Sequence, residues 1–347
     1  MESTGKYWIP IYNVLEDEMD ICLAHPKYVK AIRGKKTDKK DARWIADLYK
    51  HDLVSGSFIP LAKIRQLRDL FRYYMKLTYM QTSEKNRYQN SLTWSNIQIA
   101  SAVSDVFGNS SQKIIQHLLD NPNEEIDLPT LIDRHMKASI EQFELAIDGE
   151  ISDEQAEKLR VIKAHYDAIT FCKNDLQKLI TELGKEFEHE RILIQTVPGF
   201  QNKFSALRVV TEIGTDISKF PTAKYLSSWV CVCPACDESA NKKHSTKISK
   251  GGHYLKPLLV QVANGVVRSD KYPEFKNKYL QLKKRRGHKK AIIAITRKLL
   301  VTIYHVLKND EVYNAELYHY QEYVSPKKTL TVKQAVRLAI NHGYQVI

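Results

Sequence analysis

Apolar residues recur at helical spacing through most of the chain, and each stretch stops where Gly, Pro or a polar cluster interrupts the stripe. Tyr7 to Leu15 has short helical spacing, while Met19 to Leu23 reads as a buried strand closed by Pro26. After Gly34 the run K-K-T-D-K-K-D-A-R-W-I-A-D-L-Y-K sets Trp44, Ile45 and Leu48 on a helical stripe, with Thr37 suited to the N-cap. Asp38 and Asp41 then sit three apart on one face, near the positive end of that helix. From Pro60 to about Leu119 the pattern is helical, and residues 120–130 form a polar, proline-bearing break. The clearest long helix spans Ser152 to Glu190. Its heptad sites are Leu159, Ile162, Tyr166, Ile169, Lys173, Leu176, Ile180 and Leu183, and only Lys173 interrupts the seam. A 3.5-residue repeat argues for a coiled coil, within one chain or between protomers, although a plain core helix carries a similar stripe. Thr196–Phe200 opens a third region. A helix from Ser205 to Ile213 follows, then Gly214, a helix to Trp229, an irregular stretch over 231–253, and two helices with a basic run between them.

The pattern divides the chain into an α/β part at 1–60, a helical connector at 61–190, a mainly helical part at 191–310 and a partly helical tail at 311–347. The fold class expected is therefore α/β plus mainly α. At 347 residues, with 43% hydrophobic and 27% charged, the chain can bury one core and has length for two. No stretch approaches the roughly 18 apolar residues of a membrane span, and the start lacks the order of a signal peptide. Five cysteines, unevenly spread, do not make a disulfide framework, so a reducing cytoplasm is expected.

Charge changes the picture once it is divided. Lys and Arg outnumber Asp and Glu by 17 to 11 in residues 1–100, fall short by 9 to 19 in 101–190, and lead by 27 to 10 in 191–347. A solvated surface needs charge but not this segregation, so the basic C-terminal half points to a phosphate-bearing partner. The run Lys283, Lys284, Arg285, Arg286, Gly287, His288, Lys289, Lys290 is suited to a sugar-phosphate backbone, or else is a solvated corner between helices. The interleaved Arg65, Arg68, Arg72, Tyr73, Tyr74, Lys76, Arg87 and Tyr88 suit RNA, where rings and guanidinium planes stack on exposed bases; the tyrosines pack equally well into a core. Thr196-Val197-Pro198-Gly199-Phe200 has the form of a helix-hairpin-helix phosphate clamp, in which Gly199 lets backbone approach a phosphate. Pro-Gly is also a common turn.

Two constellations carry candidate chemistry. Asp38 and Asp41 project side by side, and Glu2 could complete a hard-oxygen set of the kind that holds magnesium in phosphoryl transfer; Asp-x-x-Asp is also an ordinary solvated helix face. The second is C-V-C-P-A-C-D-E-S-A-N-K-K-H-S-T-K-I-S-K-G-G-H-Y-L-K. Cys231, Cys233, Cys236 and His244 depart from paired zinc spacing, and buried thiols are the plainer reading. Ser239-Ala240-Asn241-Lys242 fits S-x-x-K, but without the S-D-N and K-T-G companions of penicillin-recognising hydrolases.

Four segments in fixed order resemble the DEDD transposases of bacterial insertion sequences, also described as bridge-RNA-guided recombinases. They are M-E-S-T-G-K-Y-W-I-P, K-K-T-D-K-K-D-A-R-W-I-A-D-L, F-I-P with Leu-Arg-x-Leu, and T-V-P-G-F. The resemblance covers essentially the whole chain. It implies a partial RuvC-like, ribonuclease-H-like domain at 1–60, a coiled-coil connector at 61–190 and a transposase domain at 191–310. It further implies a magnesium site on Glu2, Asp38 and Asp41. The family's first aspartate lies upstream of E-S-T-G and has no counterpart after Met1, so the resemblance implies an N-terminally truncated domain. In the second constellation it implies a serine nucleophile at Ser239, with Asn241 where a glycine is usual, and Lys242, Lys243, Lys247 and Lys250 as nearby cations. A hydroxyl is a poor nucleophile at neutral pH and needs a metal, a base or dense positive charge. DNA as substrate, a guide RNA from the same element and a homo-oligomer (dimer or tetramer) are the partners implied; a junction-resolving nuclease and a non-catalytic DNA- or RNA-binding remnant are the rival readings.

Overall fold

Thr37 takes an extended backbone and accepts a hydrogen bond from the Lys40 amide at 3.4 Å, so a helix starts where the sequence places it. The computed structural model describes all residues except 4, 30–36, 55, 122–123, 125, 134–135, 235–236, 240–241, 246, 319–321, 323–335, 338–339 and 342–347; at 27, 28, 237–239 and 242–245 it describes backbone alone. The chain forms two units, Met1–Glu188 and His189–Ile347.

The first unit contains α1 (Trp8–Leu15), α2 (Pro26–Val29), α3 (Asp38–Lys50), α4 (Ala62–Trp94), α5 (Asn109–Asp120), α6 (Leu128–Leu131), α7 (Ile140–Ala146) and α8 (Asp153–Leu183). The strand expected over Met19–Leu23 does not form. Instead Ala24 makes single bridges, parallel to Glu2 and antiparallel to Gly56, with Ser3 N–H donating to Ala24 O at 2.9 Å and Ser57 N–H to Leu23 O. Met19 is about half exposed while Leu23 is buried, so the run lacks the two covered faces that would extend a ladder. Pro26 does not merely close the segment but opens a helical turn. Among the described residues of this unit no sheet is present, and the α/β expectation for 1–60 is replaced by helices flanking three short extended segments.

The α8 stripe packs on α4 of the same chain. Lys63 meets Glu186, Tyr74 meets Gln177, Gln81 meets Thr170 and Ser91 meets Gln155, which makes the pair antiparallel. Leu159, Ile162, Ile169 and Ile180 are buried in it, whereas the last heptad site, Leu183, is about half exposed. Each fully buried Leu or Ile contributes roughly 1.5–3 kcal/mol. Lys173 fits the seam by donating to Gln81 at 2.7 Å and lying over the Tyr74 ring, and burial lowers its pKa. At the far end, Tyr88, Leu92, Ile114, Ile115 and Phe143 close a core between α4, α5, α7 and α8.

The second unit is built from α9 (Glu188–Thr196, beginning at the unit boundary), α10 (Lys203–Ile213), α11 (Ala223–Trp229), β1 (Asp237–Ser239), β2 (Lys242–Ser245), α12 (Leu255–Val266), α13 (Pro273–Arg286) and α14 (His288–Asn309). Between residue 253 and Asn309 the chain therefore forms three helices, where the sequence pattern suggests two. The apolar stripe of α14 (Ile292, Ile295, Leu299, Ile303) is central and touches α11, α12 and α13. Tyr304 buries its ring there and donates its hydroxyl to Phe220 O at 3.0 Å. The stretch over 231–253 is not wholly irregular: β1 and β2 make an antiparallel hairpin within it.

Candidate nucleic-acid interface

The densest run of charge in the second unit lies where α13 turns into α14. Gly287, at φ +78°, reverses the chain in a conformation that other residues reach only with strain. The Tyr279 hydroxyl and His288 Nδ1 fasten the corner at 2.8 Å. All residues from 283 to 290 are exposed, and Lys283, Lys284, Arg285, Arg286, Lys289 and Lys290 form no ion pair among the described residues. The first four sit in the last turn of α13, where the helix dipole favours cations. Lys289 and Lys290 sit in the first turn of α14, where the dipole opposes them. Helix stability does not explain those two lysines.

Ser239 ends β1 and is the backbone partner of Lys242, with Glu238 paired to Lys243 and a register irregularity between Asp237 and Glu238. A two-residue connection, Ala240–Asn241, lies outside the described residues. The serine is thus at the tip of a hairpin rather than in a structureless loop. Pro234 and Ile248 bridge at its base. Lys247 and Lys250 follow in an exposed segment, tied down where Lys256 donates to Ser249 O at 2.9 Å and where Gly252, at φ +74°, lies against Val230 O. Of the cysteine–histidine set, Cys231 and Cys233 are free and half-buried, Cys236 lies outside the described residues and only the backbone of His244 is described.

Gly199 takes φ +84° in the turn between α9 and α10, and a Cβ placed on it would meet Val262 Cγ1 at 2.6 Å and Val266 Cγ2 at 2.7 Å. Close packing on α12 therefore requires the glycine, whatever else the turn contacts. Val197, Pro198 and Phe200 around it are buried. The start of α10 is capped internally, Asn202 accepting from the Ser205 amide at 3.0 Å.

In the first unit Asp38 and Asp41 occupy the opening turn of α3, where carboxylates stabilise a helix by roughly 0.3–1 kcal/mol each. Glu2 lies on the bridge to Ala24. Among the described residues no three His, Cys, Asp or Glu side chains gather closely enough to hold a metal ion, so Glu2, Asp38 and Asp41 do not form a ligand set. The arginine–tyrosine series splits residue by residue. Tyr88 is in the core, Arg65 pairs with Glu16, and Tyr73 is exposed. Arg65, Arg68 and Arg72 share one face of α4 and border a cavity with Lys6 and Trp8, two residues that sequence reasoning did not single out because their neighbours on α4 are some sixty positions away.

Two segments of the chain are similar to insertion-sequence transposases. Residues 1–96 match a family model described as Transposase, of the DEDD IS110 type, and residues 192–280 match one described as Transposase IS116/IS110/IS902 family. The chain thus carries two transposase-type segments, one in each unit. Among individual relatives, it is 30% identical over 157 residues to the pilin gene-inverting protein of Moraxella bovis, covering 44% of this chain and 47% of that protein. It is 33% identical over 124 residues to the transposase for insertion sequence element IS1111A of Coxiella burnetii, covering 35% of this chain and 33% of that protein. The matched stretches span about half and a third of those two curated relatives. Among the described residues no helix is long and apolar enough to cross a membrane.

Proposed function

We propose that the chain binds DNA and exchanges its strands as a transposase or recombinase of an insertion sequence, with Ser239 as the attacking group. The observation that carries this reading is the position of Ser239, on a hairpin inside the segment that matches the transposase family. In the reaction, the serine oxygen bonds to a DNA phosphorus as the bond to one sugar oxygen breaks. The serine proton passes to a base or to solvent, and the departing sugar oxygen takes up a proton. A free DNA hydroxyl then reverses the exchange on a new partner. The phosphodiester energy is held in the phosphoserine link, so no external energy source is required.

Lys242, Lys243, Lys247 and Lys250, close in sequence to the serine, supply positive charge against the pentavalent phosphorus. The corner from Lys283 to Lys290 holds neighbouring phosphates without reading sequence. A RuvC-like character for the first unit, a guide RNA that selects sequences by base pairing, action as a homo-oligomer and magnesium on Glu2, Asp38 and Asp41 belong to the same reading and rest on the resemblance. Because those carboxylates do not gather here, no step is routed through a metal.

That same lack of a gathered carboxylate set favours a second reading, a nucleic-acid-binding protein that does not cut. The test is to incubate the full chain with end-labelled nicked or junction DNA and magnesium, then look for a covalent protein–DNA adduct under denaturing conditions. The first reading expects an adduct that disappears in Ser239→Ala. Cleavage without an adduct points to a junction-resolving nuclease, and retention of DNA with neither adduct nor cleavage selects the second reading.

A further inference from the structure

The basic corner of the second unit is the tip of a helical hairpin, so its direction is set at the base of that hairpin. Glu274 lies in the first turn of α13 and Gly287 ends the helix, a separation of roughly 20 Å. Among the described elements α13 packs chiefly on α14. Its first turn is nonetheless covered, with Glu274 and Phe275 both buried. Part of the cover comes from the segment after α14. Asp310 takes a left-handed backbone at φ +54° and ends α14, and the chain then turns back along the hairpin as far as Tyr318. Tyr313 and Tyr318 are half-buried in this segment, while Val312 and Leu317 stay exposed. The Tyr313 hydroxyl donates to Glu274 Oε1 at 2.6 Å, and its amide donates to Thr196 Oγ1, at the end of α9, at 2.9 Å. Tyr318 sets its ring 5.9 Å from that of Phe275 and hydrogen-bonds the Thr302 hydroxyl on α14. Lys298, also on α14, lies over the Phe275 and Tyr318 rings at 4.6 and 4.2 Å and donates to Glu274 O at 3.2 Å.

A buried carboxylate is costly without donors, and Tyr313 brings one to Glu274 from 39 residues along the chain. Through its amide the same residue also holds the end of α9, so one tyrosine joins α9 to the base of the hairpin. We propose that Asp310–Tyr318 is a strap that positions the basic corner for duplex binding, with Tyr313 and Tyr318 as positioning residues that act through α13 and touch no DNA themselves. The lever makes the effect large. Over roughly 20 Å a tilt of about 10° at the base shifts the tip by about 3.5 Å, more than the length of a hydrogen bond. The inference rests on the proposed reading that residues 283–290 meet phosphates, and it names what holds them in place.

The test uses the full chain and a labelled DNA duplex of random sequence, read by fluorescence anisotropy over a range of salt, at a temperature where circular dichroism shows each variant folded. Tyr313→Phe combined with Tyr318→Phe keeps both rings and removes both hydroxyls. This pair is expected to weaken duplex binding about tenfold and to lower the log–log salt slope by about 0.9–1.8, the loss of one or two phosphate contacts. Amide hydrogen exchange is expected to quicken in the first turn of α13 and to stay unchanged in α12. Val312→Ala, on the exposed side of the strap, is expected to bind within about twofold of the parent. Should the pair fail to fold, Tyr313→Phe alone, expected to weaken binding about threefold with a lower slope, decides in its place. If the folded variant loses thermal stability yet keeps the parent's affinity and slope, the strap only covers the core, and the proposal is wrong while the reading of the corner stands. A weaker affinity with an unchanged slope also overturns it, since the phosphate contacts would then be intact. If the parent binds no duplex, the reading of the corner falls and takes this inference with it.

Discussion

Replacing Gly199 by alanine separates two explanations of the turn between α9 and α10. The φ of +84° costs an L-residue roughly 1–2 kcal/mol. The new methyl would lie 2.6 Å and 2.7 Å from the Val262 and Val266 side chains, and crowding of this kind in a packed interior costs about 1–3 kcal/mol. Lower entropy of the unfolded chain returns roughly 0.4–1 kcal/mol. The net is a loss of about 2–4 kcal/mol, or a fall of roughly 5–15 °C in the transition of the second unit. Thermal and urea unfolding of the full chain by circular dichroism, with hydrogen exchange at α10 and α12 amides, assigns the loss to that unit. Adding Val266→Ala removes one of the colliding methyls and is expected to show a favourable coupling of about 1 kcal/mol. If Gly199→Ala unfolds within about 0.5 kcal/mol of the parent and instead loses DNA affinity, the packing argument is refuted. The glycine then serves backbone approach to a phosphate.

Lys289→Ala with Lys290→Ala is expected to reduce the salt dependence of duplex binding by about 0.9 in the log–log slope for each lysine that meets a phosphate, without loss of thermal stability; an unchanged slope would remove the corner from the interface. Tyr88 is buried, and burial above all raises its pKa from about 10 to about 12. Below pH 10 the phenol is neutral in both states; between about 10 and 12 only the unfolded chain releases the proton, so stability falls with rising pH by on the order of 2–3 kcal/mol. Tyr88→Phe is expected to flatten that alkaline loss in unfolding curves taken across this range. Tyr313 donates to the buried Glu274 at 2.6 Å, and burial together with that bond raises its pKa. Tyr313→Phe is expected to cost roughly 1.5–3 kcal/mol in urea unfolding, as for a bond to a charged partner; a loss near zero would mean the carboxyl is satisfied without it.

Much of the helical framework was legible from residues alone, because a helix start and a helix stripe are local matters. Thr37 caps α3 since a hydroxyl three residues before a free amide suffices, and the apolar stripe of α8 is present whatever it packs on. The charge of residues 283–290 was equally plain, because nothing nearby in sequence offsets it. Tertiary structure alone decided which surface covers each stripe. The α8 seam is filled by α4 from the same chain, and Lys173 is accommodated there by Gln81 and Tyr74, some ninety residues away. Met19–Leu23 carried a strand-like composition, yet a strand exists only where neighbours supply ladder partners, and here each neighbouring segment offers Ala24 one bridge. Ser239 took its place in a hairpin that its polar, lysine-rich sequence does not advertise, because backbone pairing between two such short strands leaves no periodic apolar signal. Gly199 reads as a turn in sequence, and only the approach of α12 shows why no side chain fits. The cavity beside Trp8 is the furthest from local information: its arginines come from α4 and its ring from α1, and their adjacency follows from packing alone.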